Sequence, residues 1–94
     1  MKRAKLYVDF NEMLDDNLCL LSKEDKKLDS EGNIVQLFEG LEIDVYMDDC
    51  DESGMPDPLI ASGKVEMNTS TDWSSHVKWC VRIDEKGIQR SSQQ

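Results

Sequence analysis

Two groups of side chains in this 94-residue sequence have types and spacings that could do chemistry: the acidic run between Asp48 and Asp57, and the stretch from Trp73 to Arg82. Counted from Asp49, the run sets Asp49, Asp51, Ser53, Gly54, Met55 and Asp57 at positions 1, 3, 5, 6, 7 and 9 of a calcium loop. In such a loop oxygen ligands recur around a glycine that makes the sharp turn. Position 12, which should supply a bidentate carboxylate, is Ile60, and the flanks alternate as strands do. A calcium-dependent module with ligands Asp49, Asp51, Ser53 and Asp57 is therefore one expectation. Against it stands a solvated hairpin loop that uses Asp and Gly for turn geometry.

His76 and Cys80 invite a nucleophile-and-base reading, but four residues along a strand separate them by about 13 Å, too far for a hydrogen bond. No orienting group or oxyanion donor is signalled either. The expectation is a protein that is not an enzyme and carries no cofactor. His76, Lys78 and Arg82 fall on the outward register of a strand, with Trp73 just before it. On a small barrel such a face could stack bases and hold phosphates, making a single-stranded nucleic-acid binder. The bland alternative pairs these cations across strands with Glu42, Asp44 or Glu66, at about 0.2–1 kcal/mol per pair. Trp73 is expected to fold back as a plug over one end of the barrel, and Trp79 to anchor the core.

The elements that must position these groups are strands. Residues 41–48 alternate cleanly, with Leu41, Ile43, Val45 and Met47 on one side and Glu42, Asp44, Tyr46 and Asp48 on the other. Residues 59–68 and 76–84 do the same, the latter turning Val77, Trp79, Val81 and Ile83 inward. Leu6, Val8 and Phe10 mark a strand near the start, and residues 18–21 a more buried one. Residues 26–28 and 34–38 are expected to pair as a hairpin around Gly32, in preference to a helix begun at Ser22. Gly40 and Gly63 mark bends or close packing. The predicted fold is all-β: a small antiparallel barrel or strongly bent sheet of five to six strands, SH3-like by preference and OB-like as the alternative. One domain spans residues 1–90, and 91–94 close a polar run expected to fray.

Charge and cysteines narrow the setting. Net charge is −9. Residues 39–72 carry ten acidic side chains against one basic, while residues 73–94 carry four basic against two acidic. An acidic face repels phosphate backbones and attracts basic surfaces, so general nucleic-acid binding is disfavoured. Plain solubility explains the same charge without a partner. Cys19, Cys50 and Cys80 are too far apart in sequence to suggest a disulfide framework or a zinc site. No apolar run approaches the length of a membrane span, and residues 1–10 lack an apolar signal core, so a cytoplasmic protein is expected. The sequon formed by Asn68, Thr69 and Ser70 reads as accidental in that compartment. The functional expectation is an acidic binding or regulatory module that meets another protein, a basic one, through Glu42, Asp44, Asp48, Asp49, Asp51 and Glu52.

Overall fold

The computed structural model describes residues 3–69 and 75–90. Trp73, Ser70 of the sequon and the polar tail at 91–94 lie outside the described residues. Among those described are nine strands and no helix: β1 (Ala4–Tyr7), β2 (Met13–Asp15), β3 (Leu18–Ser22), β4 (Lys26–Leu28), β5 (Ile34–Gln36), β6 (Glu42–Met47), β7 (Leu59–Met67), β8 (Trp79–Ile83) and β9 (Gln89–Arg90). No helix is long and apolar enough to cross a membrane.

The alternating segments form the centre of the main sheet because one side of each is oily and must be covered. Its order is β1-β6-β7-β8-β3-β2, with β9 paired to β7, while β4 and β5 make a separate two-stranded sheet. β6 and β7 pair antiparallel from Glu42↔Lys64 to Met47↔Leu59, and β7 continues against β8 from Gly63↔Ile83 to Met67↔Trp79. The shared inner side buries Leu6, Ile43, Val45, Val65, Val81 and Ile83. Fully burying a side chain of this kind is worth about 1.5–3 kcal/mol, against about 0.2–1 for an exposed ion pair. The inner side, not the charges, therefore holds the fold together. Trp79 is part of this core at 6 % exposure, as its inward register predicted.

Two glycines act as the sequence suggested. Gly32 turns the β4–β5 hairpin with φ +84°, a conformation that side chains resist. At Gly63 a Cβ would stand 2.1 Å from the Arg82 carbonyl oxygen, so β7 and β8 cross at a distance only glycine permits.

The closed barrel is not formed, and the described residues carry nine strands, seven of them in the main sheet, where five to six were expected. β1 pairs with β6 in parallel, Ala4↔Ile43 through Tyr7↔Tyr46, so its other side becomes a sheet edge. There the Lys5 carbonyl accepts a hydrogen bond from Ser30 N at 2.8 Å, at the tip of the β4–β5 hairpin. Residues 8–12 cross from β1 to β2, bonded on one side by Val8 N to the Tyr46 carbonyl and on the other by Leu20 N to the Glu12 carbonyl. The result is an unclosed sheet whose two edge strands, β1 and β2, are linked at one corner by residues 8–12. A second correction concerns Cys80, which was assigned to the wet side of its strand. It is fully buried with Leu20 and Val77 in a second apolar cluster outside the main core. β8 is thus covered on both sides.

Candidate functional site

The acidic loop is a built hairpin extension. Beyond β6 and β7 the chains stay in register through the Cys50↔Pro56 bridge and a bond from Asp57 N to the Asp49 carbonyl at 2.9 Å. At the tip, Oδ1 of Asp51 accepts three hydrogen bonds: from Ser53 N at 2.9 Å, Ser53 Oγ at 2.7 Å and Met55 N at 3.0 Å. Asp51 is how a short acidic side chain makes a turn, substituting for a missing backbone partner. The Ser53 hydroxyl and then the Met55 amide hold its carboxyl below the usual carboxylate range.

The loop's base is clamped by a cation from the C-terminal part of the chain. β9 lies against the start of β7, Leu59↔Arg90 and Ile60↔Gln89. This brings the Arg90 guanidinium to 3.2 Å from Asp49 Oδ2 and 3.8 Å from Asp57 Oδ2. Among the described residues Asp57 is the one charged side chain that is buried, at 6 % exposure. The four residues aligned with a calcium loop are thus divided into two sets. Asp49 and Asp57 face Arg90, while Asp51 and Ser53 bond each other at the tip. Among the described residues no group of three or more His, Cys, Asp or Glu side chains is gathered as a metal site. The sequence offered Arg90 only as part of the basic surface after the last strand; its clamping role was missed because β9 is two residues long and too short to show a period.

The other acidic positions separate into two kinds. Glu42 and Asp44 on the outer side of β6 meet Arg3 at 3.5 and 3.7 Å, and Asp44 also accepts from Ser62 Oγ at 2.6 Å. Asp48 and Glu52 are exposed and have no ion-pair partner among the described residues. Glu52 and Met55, the latter 63 % exposed, lie at the tip, and Asp48 stands at its foot where β6 ends.

The basic stretch is tied up in ion pairs. Lys78 Nζ lies 2.6 Å from Asp25 Oδ1 and 5.4 Å from the Trp79 ring centroid, while Trp79 Nε1 donates to the same carboxylate at 2.9 Å. The ammonium and then the indole N–H lower the Asp25 pKa, and together they fasten the start of β4 to β8. Arg82 forks onto both oxygens of Glu66 at 3.0 and 3.2 Å and donates to Asn17 Oδ1 at 2.9 Å. Glu66 raises its pKa. His76 is exposed at the mouth of a groove. Cys80 is enclosed, and burial pushes its thiol up to about 11, so the pair His76 and Cys80 is not assembled for nucleophilic chemistry.

One surface feature escaped the sequence reading. On the outer side of the sheet, Tyr7 and Tyr46 stand edge to face with centroids 5.5 Å apart, and Lys5 Nζ sits 5.2 Å from the Tyr46 ring. The signal was the outward register of both tyrosines. It was unreadable without knowing that β1 pairs with β6. No family model, curated protein or solved structure matches this chain.

Proposed function

We propose that this chain is a non-enzymatic cytoplasmic binding or regulatory module that docks on a basic protein surface through the acidic tip between β6 and β7. The observation that carries the reading is the internal wiring of that tip. Asp51 fixes the turn and Arg90 fixes its base, so Glu52 and Met55 at the tip and Asp48 at its foot are presented without the ordering cost a floppy loop would incur on binding. A fixed cluster of like charge speeds encounter with a basic partner and loses that advantage in salt. We read the scaffold as an opened SH3-like barrel, with the OB-like arrangement as the alternative; its helix-free sheet of mostly short strands supports both.

The two other readings require rearrangement. Nucleic-acid binding through His76, Lys78 and Arg82 has to draw Lys78 from Asp25 and Arg82 from Glu66. Calcium binding has to draw Asp49 and Asp57 from Arg90. The test is capture of cytoplasmic partners on the immobilised chain at low and high salt, beside the double variant Asp48→Lys, Glu52→Lys. The proposal expects a defined basic partner that both high salt and charge reversal release. A partner set indifferent to both removes the charge argument. Indole quenching by single-stranded DNA, or heat on calcium titration, would favour the competing readings instead.

A further inference from the structure

The hairpin of β4 and β5 is fastened to the body on one face and bare on the other. Val35 packs against the main core and Leu37 is buried. Ser30 N ties the hairpin's tip to Lys5, and Asp25 ties its base to Lys78 and Trp79. The bare face carries Leu28 and Ile34, which stand directly opposite each other, and Phe38 beyond the end of β5. These are three of the seven large apolar side chains exposed among the described residues, and Ile34 is the most exposed at 70 %. The backbone edge beside them is open as well. Leu37 N bonds the Asp25 carbonyl and Asp29 N the Asn33 carbonyl, with Lys27↔Val35 midway between. Bonded and unbonded pairs alternate in an antiparallel ladder, so Ile34 and Gln36 aim their N–H and C=O away from β4. No other strand pairs with β5. Proteins blunt such edges with lysine, proline or a bulge. β4 has Lys26 and Lys27; β5 has none of these, and its register with β4 runs without a shift.

We propose that this edge pairs with the same edge of a second copy of the chain, β5 antiparallel to β5 about a twofold axis at Gln36. Two two-stranded sheets, each below the size at which a sheet is stable by itself, then become one of four strands. The edge is complementary to itself in this register. Gln36 meets the partner's Gln36 through two reciprocal backbone bonds, Ile34 meets the partner's Phe38 on each side of the axis, and Leu28 extends each apolar row. An axis at Val35 instead sets Ile34 against Gln36 and Glu31 against Glu39, losing both apolar pairs and opposing like charges. Charge selects the same place. Residues 22–38 carry three basic and four acidic side chains, whereas residues 39–72 carry ten acidic against one basic, so two chains of net charge −9 meet here where their own charge is nearly balanced. The contact is smaller than a standard interface, and the dimer is accordingly weak and concentration-dependent. It uses none of the acidic tip and does not depend on that reading.

Sedimentation equilibrium of the full chain from about 10 µM to about 1 mM, at low and high salt, tests it. The expected result is an average mass that rises from one chain toward two, with a tighter dimer in high salt because screening weakens the repulsion between two acidic bodies. Docking through the acidic tip responds to salt in the opposite sense, so the two readings fail separately. Ile34→Lys should weaken the dimer at least about tenfold, since symmetry introduces the charge twice. In a Cys50→Ser background, Gln36→Cys should form a disulfide between copies on air oxidation, because opposed bonded residues stand about 5.5 Å apart at Cα. Lys26→Cys is the control, three strand spacings or about 14 Å from its own copy. A monomer at every concentration and salt, which would leave the edge to a foreign strand, overturns the proposal. So does a dimer indifferent to Ile34→Lys, or cross-linking no faster at 36 than at 26. Ile34 and Gln36 are both exposed, and the parent's own mass needs no variant, so a misfolded mutant cannot mask the outcome.

Discussion

Replacing Arg90 by alanine isolates the clamp at the base of the acidic tip. The guanidinium is 42 % exposed and Asp49 38 %, which on their own would place the interaction among surface pairs worth about 0.2–1 kcal/mol. The Asp57 side chain is only 8 % exposed, however, and removing one partner of a fully buried pair costs about 3–5 kcal/mol. With one partner enclosed, the other half in water and a separation of 3.8 Å, the expected loss lies between these bounds, about 1–2 kcal/mol. For a domain of this length that is a drop of roughly 5–15 °C in melting midpoint. The assay is thermal and urea unfolding of the parent, Arg90→Ala, Asp57→Asn and the double variant. Because the penalty comes from removing a cation beside the buried Asp57 charge, Asp57→Asn should cost less in the Arg90→Ala background than in the parent, and the difference is the coupling energy. A midpoint change under about 2 °C for Arg90→Ala, or strictly additive effects in the cycle, would refute the reasoning.

Two further outcomes follow from the packing. Gly63→Ala should destabilise by at least about 3 kcal/mol or prevent folding, because the new methyl meets the Arg82 carbonyl and neither backbone can move without breaking the β7–β8 ladder; soluble yield and a melting curve check this, and a variant near parental stability would contradict the close crossing. In thiol titration of the folded chain near pH 8, Cys50 alone should react, with Cys19 and Cys80 appearing only on unfolding, since burial pushes those thiols up to about 12 and about 11. Both pKa values lie above the 9.0 of a free thiol, so the folded state keeps protons that the unfolded state releases. Stability is accordingly intact below about pH 9 and falls as pH rises toward 11–12, which alkaline melting measures.

Much of the fold was legible because period-two alternation reports which side of a strand is covered. It placed β6, β7 and β8 and their inward residues, and Gly32 identified the hairpin of β4 and β5. Alternation does not encode which strand lies next door. The parallel pairing of β1 with β6 was therefore invisible, and with it the open side and the Tyr7–Tyr46 contact. Cys80 was misassigned for a related reason: its strand has a second cover from Leu20 on β3 and from Val77, which was expected on the side of Trp79, Val81 and Ile83 but joins Cys80 instead. At the candidate site, the acidic residues and the turn made by Asp and Gly were readable. The cation that clamps them was not, because Arg90 stands in a polar stretch with no pattern to mark it as anchored.

The parallel β1 has a consequence for how the chain is made. The ribosome delivers Leu6 long before its neighbour Val45, an interval of about two to eight seconds at ordinary rates of translation. Throughout that interval a nascent segment bearing Leu6, Val8 and Phe10 has no template to join, whereas β7 can zip onto β6 as soon as it emerges. Lys2, Arg3 and Lys5 stand beside those apolar residues in the sequence, the placement by which flanking charges oppose association of an unpaired strand.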